Sequence, residues 1–210
     1  MKSVRALLLC ALALVVPSCG QDINVPAPLL DEQFNGGFPG ANWTAPATTG
    51  PGTTAQIVGA RLAFTTTSAS VSSTTRTQAS FTNPDLIMDF QVAIHALAPG
   101  DQGAATVDIL NNSLAVVASM TWDSPSTTVT YQILGTTVAT GTAPPSDGTL
   151  NGFRFEVSST GQAGWYFSNA LQGTTVAIPA GPLYLQIGAS FGTGTAWPEV
   201  DFDTITVTRP

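Results

Sequence analysis

Near the end of the chain, Glu199-Val-Asp201-Phe-Asp203 places three carboxylates at positions i, i+2 and i+4. In a regular strand that spacing puts all three on one face. Two carboxyl groups ~5 Å apart are what cleavage of a glycosidic bond with retention requires, one as nucleophile and one as acid/base. The phase of the strand then changes: Val200 and Phe202 share one parity, Ile205 and Val207 the other, so Asp203 falls in line with apolar residues. Either a bulge intervenes or both faces are covered, and an inward carboxylate must be paired or hold a cation. Asp203 with Asp31 and backbone carbonyls of the first strand would give oxygen-only ligation suited to calcium, the one cofactor these residues suggest. The alternative is a carboxylate hydrogen-bonded to neighbouring amides, or to Arg209 or Arg61.

Gly188-Ala-Ser190-Phe-Gly192 fits the G-x-S-x-G pattern of a serine nucleophile elbow. That elbow needs a helix after the serine and a histidine later in the chain. Here Thr193-Gly-Thr195 follows and the single histidine, His95, comes earlier, so no catalytic residue is assigned. Aromatic side chains are the remaining handle, because sugar rings stack their C–H faces on Trp or Tyr while nearby Asp, Asn or Gln take the hydroxyls. The candidate ligand residues on this ground are Trp122 with Asp123, Tyr131 beside Gln132, Trp165 with Asn169, and Trp197. For Trp43, Trp122 and Trp165 a place in a sandwich core is the competing reading. Trp197, in a Gly/Thr/Pro loop, is the one expected to be exposed.

The elements that must carry these residues are strands. Helical periodicity is almost absent, and β-branched and aromatic runs recur between Gly, Asn and Pro breaks. Leu86 to Leu97 reads as one long strand with Leu86, Met88, Phe90, Val92, Ile94 and Ala96 on the core face, opposite Asp89, Gln91 and His95. Asn111-Asn112 joins Ala105–Leu110 to Leu114–Asp123, Gly135-Thr136 separates two further strands, and Thr160-Gly161 joins Phe153–Ser158 to Trp165–Ser168. Leu183–Phe191 and Val200–Thr208 close the chain. About a dozen strands in two packed sheets follow. Thr44 to Ala55 reads as an internal loop turning at Gly50-Pro51-Gly52.

The first 19 residues carry Lys2 and Arg5, an apolar run from Ala6 to Val16, then Val16-Pro17-Ser18-Cys19. The run is short of the ~20 residues that span a bilayer, and so reads as a cleaved signal. Its end resembles a bacterial lipobox, which implies lipidation of Cys19. Gly20 rather than Asp follows, which by resemblance to enterobacterial sorting implies the outer membrane. Residues 20–28 read as a tether and 29–210 as one β-sandwich domain. With Cys10 in the signal and Cys19 acylated, no disulfide or thiolate metal site is available. Removal of the signal leaves Arg61, Arg76, Arg154 and Arg209 against 13 acidic residues, with no lysine. Such a chain cannot neutralise a phosphate backbone or an anionic lipid surface. Nucleic acid is excluded, and membrane contact is left to the anchor alone.

Four segments carry a wider resemblance: Leu30-Asp-Glu-Gln-Phe-Asn-Gly36 with Trp43, Val58-Gly-Ala-Arg-Leu-Ala-Phe64, Leu185-Gln-Ile-Gly188, and Asp201-Phe-Asp-Thr-Ile-Thr-Val207. Together they resemble the concanavalin A-like lectin/glucanase jelly roll. The resemblance implies an all-β, two-sheet antiparallel sandwich, a concave face that in relatives binds or hydrolyses polysaccharide, and often a structural calcium away from that face. Its retaining glucanases carry Glu-x-Asp-x-Glu or Glu-x-Asp-x-x-Glu mid-domain. Here Asp203 replaces the acid/base glutamate, no glutamate follows, and the motif lies at the chain end. The function expected is therefore a non-catalytic, carbohydrate-binding or adhesion module on a cell-surface lipoprotein with a polysaccharide or glycan partner. The alternative is a structural or protein-partner envelope protein, and a glycoside hydrolase ranks below both.

Overall fold

The structure is a computed structural model, described here for residues 27–96, 101–126, 128–194 and 196–210. The signal segment, Cys19 and most of the tether lie outside the described residues. Within them the chain forms strands and no helix. In chain order the strands are β1 (Leu30–Glu32), β2 (Ala47–Thr48), β3 (Thr53–Val58), β4 (Arg61–Thr66), β5 (Val71–Arg76), β6 (Phe81–Thr82), β7 (Leu86–His95) and β8 (Gly103–Leu110). They continue with β9 (Val116–Ser124), β10 (Thr128–Ile133), β11 (Thr136–Thr142), β12 (Asn151–Val157), β13 (Gln162–Phe167), β14 (Ala170–Ala177), β15 (Pro182–Phe191) and β16 (Glu199–Thr208).

Two antiparallel eight-stranded sheets result. The terminal sheet, which holds the first and last strands, runs β14-β13-β12-β7-β16-β4-β3 with β1 also on β16. The facing sheet runs β11-β10-β9-β8-β15-β5-β2 with β6 also on β15. Period-two alternation builds the space between them: Leu86, Met88, Phe90, Val92 and Ile94 of β7 point inward, as expected, toward Val107 and Ile109 of β8 and Leu185 and Ile187 of β15. Aromatic rings tie the layers together. Trp165 of the terminal sheet lies 6.2 Å from Tyr131 of the facing sheet, and Trp122 of the facing sheet 6.2 Å from Phe153 of the terminal sheet.

Turn chemistry sets the hairpins. Leu134 and Gly135 between β10 and β11, and Ser168 and Asn169 between β13 and β14, all have positive φ, as a two-residue type I′ turn demands. Asn111 closes the β8–β9 hairpin by accepting from the amides of Ser113 and Ala115 at its Oδ1.

The segment expected as a loop from Thr44 to Ala55 is partly strand. Ala47–Thr48 pairs with β5 in the facing sheet, the chain turns at Gly50-Pro51-Gly52, and β3 then pairs with β4 in the terminal sheet. This stretch is a crossover between layers. On the opposite side, edge strands β11 and β14 of the two sheets lie against each other. Gly173 of β14, at φ 75°, leaves so little room that a Cβ there would lie 2.1 Å from the carbonyl oxygen of Val138.

Candidate functional site

Glu199, Asp201 and Asp203 do share the outer face of β16, but Asp201 and Asp203 have separate partners. Asp201 is only 6% exposed and forms an ion pair with Arg61 at 3.6 Å. Burial first, and the neighbouring Glu199 carboxylate second, push its carboxyl up to about 6. Asp203 accepts from the Thr204 amide at 2.7 Å and from the Thr204 hydroxyl at 3.2 Å. Thr204 sits at φ 32° in a bulge between Asp203 and Ile205. That bulge is the source of the parity change in the sequence. Arg209 instead donates to the carbonyl of Thr82.

The calcium ligands expected from the sequence do not assemble. Asp31 of β1 lies opposite Thr206, whereas Asp203 lies opposite Gln91 and is occupied by Thr204. Among the described residues no group of three or more His, Cys, Asp or Glu side chains is placed to hold a metal. Asp31 and Asp203 thus stand at different register positions rather than side by side. Ser190 of the G-x-S-x-G stretch lies in β15 with no helix after it in the described residues, as its context required.

The aromatic candidates are corrected. Trp122 and Trp165 are 0% exposed and Tyr131 is 1% exposed, so their rings pack between the sheets and cannot stack on a ligand at the surface. The indole N–H of Trp165 donates to the carbonyl of Gln132 at 3.1 Å across the core. Strand alternation explains the outcome: Trp122 and Asp123, or Tyr131 and Gln132, are chain neighbours and therefore point to opposite faces. Trp197 is half-buried against the core, its indole N–H donating to Gly192 at 3.0 Å. Asp123 stands outside, in a hollow of about 350 Å³ shared with Gln102, Ser126, Ser190 and Gly192. Its carboxyl is pushed up by burial. Asn169 lies on the other sheet, in the β13–β14 turn. The expected set is thus divided between the core and two opposite faces.

What the facing sheet does assemble is a transverse polar row with no counterpart in the spacing of residues along the chain. Arg76, Gln186, Asp108, Ser119 and Gln132 are successive cross-strand partners on β5, β15, β8, β9 and β10. A second row runs Thr74, Gly188, Thr106, Thr121, Thr130. With strands ~4.8 Å apart, the face is about 20 Å wide. Gln186 donates to Asp108 at 3.0 Å, and the Arg76 guanidinium lies over the ring of Tyr184, 5.3 Å from its centroid. Burial pushes the Asp108 carboxyl up, and the Gln186 hydrogen bond partly offsets this. The Nε of Arg76 is buried with no hydrogen-bond partner. A buried donor left open on an outer sheet face is costly unless something fills it.

On the same face Asp108 and Asp123 stand apart. Asp108 pairs with Ser119, four residues from Asp123 along β9. Four residues of strand separate the two carboxylates by ~13 Å, beyond the ~5 to ~9.5 Å range of retaining and inverting glycosidases. The signal available in the sequence was the i, i+2 spacing of Tyr184 and Gln186 and the single arginine in a Ser/Thr strand. The row itself exists only once the register of five strands is known.

No family model matches the chain, and no curated protein matches it. Solved structures do. The carbohydrate recognition domain of Emp47p is 13% identical over 85% of this chain and 93% of that one, with a TM-score of 0.63. A GlcNAcα1-4Gal releasing endo-β-galactosidase from Clostridium perfringens is 12% identical over 85% of this chain and 61% of that one, at 0.65. The exoplasmic/lumenal domain of VIP36, in its Ca²⁺/Man-bound form, is 11% identical over 79% and 83%, at 0.55. The likeness is one of fold: an antiparallel two-sheet sandwich common to this chain and these domains. A carbohydrate recognition domain and a glycan-releasing enzyme share it at these identities, so the fold alone does not decide between binding and catalysis.

Proposed function

We propose that this chain is a non-catalytic glycan-binding sandwich, held at the cell envelope by lipid on Cys19, with its ligand seated on the outer face of the facing sheet. One observation carries the reading: the unpartnered, buried Nε of Arg76 beside the Gln186–Asp108 hydrogen bond. An arginine, an amide and a carboxylate fixed in one row present the donors and acceptors that sugar hydroxyls take up. The separation of Asp108 and Asp123 speaks for binding without cleavage. The folds of the Emp47p and VIP36 domains agree with this reading.

The test is a glycan array and polysaccharide panel probed with the full chain in detergent. Arg76→Ala and Gln186→Ala should each weaken binding about tenfold or more, with the melting temperature nearly unchanged. Saturable binding that neither substitution touches would reject the face. Metabolic labelling with a radioactive fatty acid checks the anchor: incorporation should vanish in Cys19→Ser.

A second reading, an envelope protein with a protein partner, is favoured by the burial of Trp122, Tyr131 and Trp165, which leaves the facing sheet without those rings. It also has a surface: Leu134 and Val116 are exposed beside an apolar hollow with Pro179 and Pro182. Failure of a folded protein across the whole panel would move the assignment there.

A further inference from the structure

We infer that the terminal sheet carries a second ligand site on its outer face, a cleft that takes one neutral sugar residue. The cleft lies on β7, β12, β13 and β16 and has a volume of about 260 Å³. That is below the ~300–1,000 Å³ of sites for drug-sized ligands and suits a single ring rather than a chain of them.

Its floor is open because of one residue. Gly152 of β12 lies opposite Gln91 of β7, and a Cβ at that position would meet nothing within 4 Å. The flanking row is filled: Thr206, Asp89, Arg154 and Tyr166 are successive cross-strand partners on β16, β7, β12 and β13. Gly152 leaves a vacancy beside a continuous polar wall.

Two backbone irregularities shape the rim. On one side the bulge brings Thr204, a β-branched residue at φ 32°, to the cleft. On the other, the type I′ turn presents Ser168 and Asn169. Bulges beside sites re-aim side chains, and here the displaced residue is a hydroxyl. The cleft thus gathers two amides, from Gln91 and Asn169, and three hydroxyls, from Ser168, Thr204 and Thr206, near the half-buried ring of Tyr166. These are the groups that recognise a polyol with apolar ring faces.

Charge selects the class of sugar. Arg154 donates to Asp89 twice, Nε to Oδ1 at 2.7 Å and Nη2 to Oδ2 at 3.4 Å, so its cation is neutralised and its plane fixed. Glu156 lies close enough to act on the same guanidinium, and Asp203 stands opposite Gln91. Acidic groups outnumber the cation around the cleft, which favours a neutral ligand over a uronate or sialylated one.

The inference is independent of the facing-sheet proposal, and its test separates the two. The full chain in detergent is titrated with D-galactose, D-mannose, D-glucose, N-acetyl-D-glucosamine and, as anionic control, D-glucuronate, while backbone amides are followed by NMR. At least one neutral sugar should shift the amides of Gly152 and Asn169 saturably, with glucuronate weaker by about tenfold or more. Gly152→Val fills the vacancy with a strand-forming residue and should abolish those shifts while the melting temperature holds. Asn169→Gly keeps the turn and removes the amide, and should weaken them several-fold. Arg76→Ala should leave them unchanged. The site is overturned if none of the four neutral sugars shifts Gly152 saturably, or if the shift survives in Gly152→Val.

Discussion

Gln186 donates to Asp108 across the β15–β8 pair at 3.0 Å, on an outer face where burial already disfavours the carboxylate. Burial and the Gln186 hydrogen bond therefore act on the Asp108 carboxyl in opposite directions. Asp108→Asn keeps the volume and removes the charge. It should leave stability at neutral pH unchanged or slightly higher, and lower glycan affinity by about tenfold. Thermal melts and array titrations on one preparation check both halves, and a variant that binds as well as the parent would show that the carboxylate has no part in recognition.

Asp201 should govern part of the pH dependence of stability. Its carboxyl is raised from the ordinary 3.8 to about 6, so between these values the folded chain holds a proton that the unfolded chain has released. Stability from this group is full below about pH 4 and is lost as pH rises through about 6. Asp201→Asn removes the titration and should flatten that window, although Arg61 loses its partner. Urea midpoints measured on both proteins across the window decide it. Parallel slopes would mean that Asp201 titrates normally.

Trp165 and Trp122 are equally buried but differ at the indole nitrogen. Trp165 donates to the Gln132 carbonyl, while the Trp122 N–H is buried without a partner. Replacing each by Phe removes a similar volume but breaks a hydrogen bond only in the first. Trp165→Phe should cost about 1 kcal/mol more than Trp122→Phe in denaturant titrations. Equal costs would contradict the cross-core hydrogen bond.

Gly135 and Gly173 have nearly the same φ, 74° and 75°, and different surroundings. A Cβ at Gly135 meets nothing within 4 Å, whereas at Gly173 it strikes the backbone of Val138. Gly135→Ala should cost about 1 kcal/mol from conformation alone, and Gly173→Ala should add overpacking of ~1–3 kcal/mol. The comparison of melting temperatures tests whether the two sheet edges are as close as described.

Much of the fold was legible in the residues. The alternation of Leu86, Met88, Phe90, Val92 and Ile94 placed β7 and its core face, and the parity break after Phe202 signalled the bulge now seen at Thr204. Asn111-Asn112 and Thr160-Gly161 marked their hairpins. Two-residue strands such as Ala47–Thr48 were not legible, because their pairing is set by β5 and not by local propensity. The site was the least legible part. Adjacency of an aromatic and a polar residue suggested recognition, yet in a strand adjacency guarantees opposite faces. The rows through Arg76 and through Arg154 join residues from four or five strands, and no spacing along the chain encodes which residues stand side by side.

The contact of β14 with β11 has a consequence for how copies of this protein tolerate crowding. A free sheet edge is a template on which another chain can add a strand, and polymerisation along such edges is the common hazard of open sandwiches. Here the two edges on this side lie against each other, with the backbone of Gly173 set against that of Val138. A neighbouring molecule would have to pry the layers apart before it could extend either sheet, so dense packing on a surface need not seed fibres from this side.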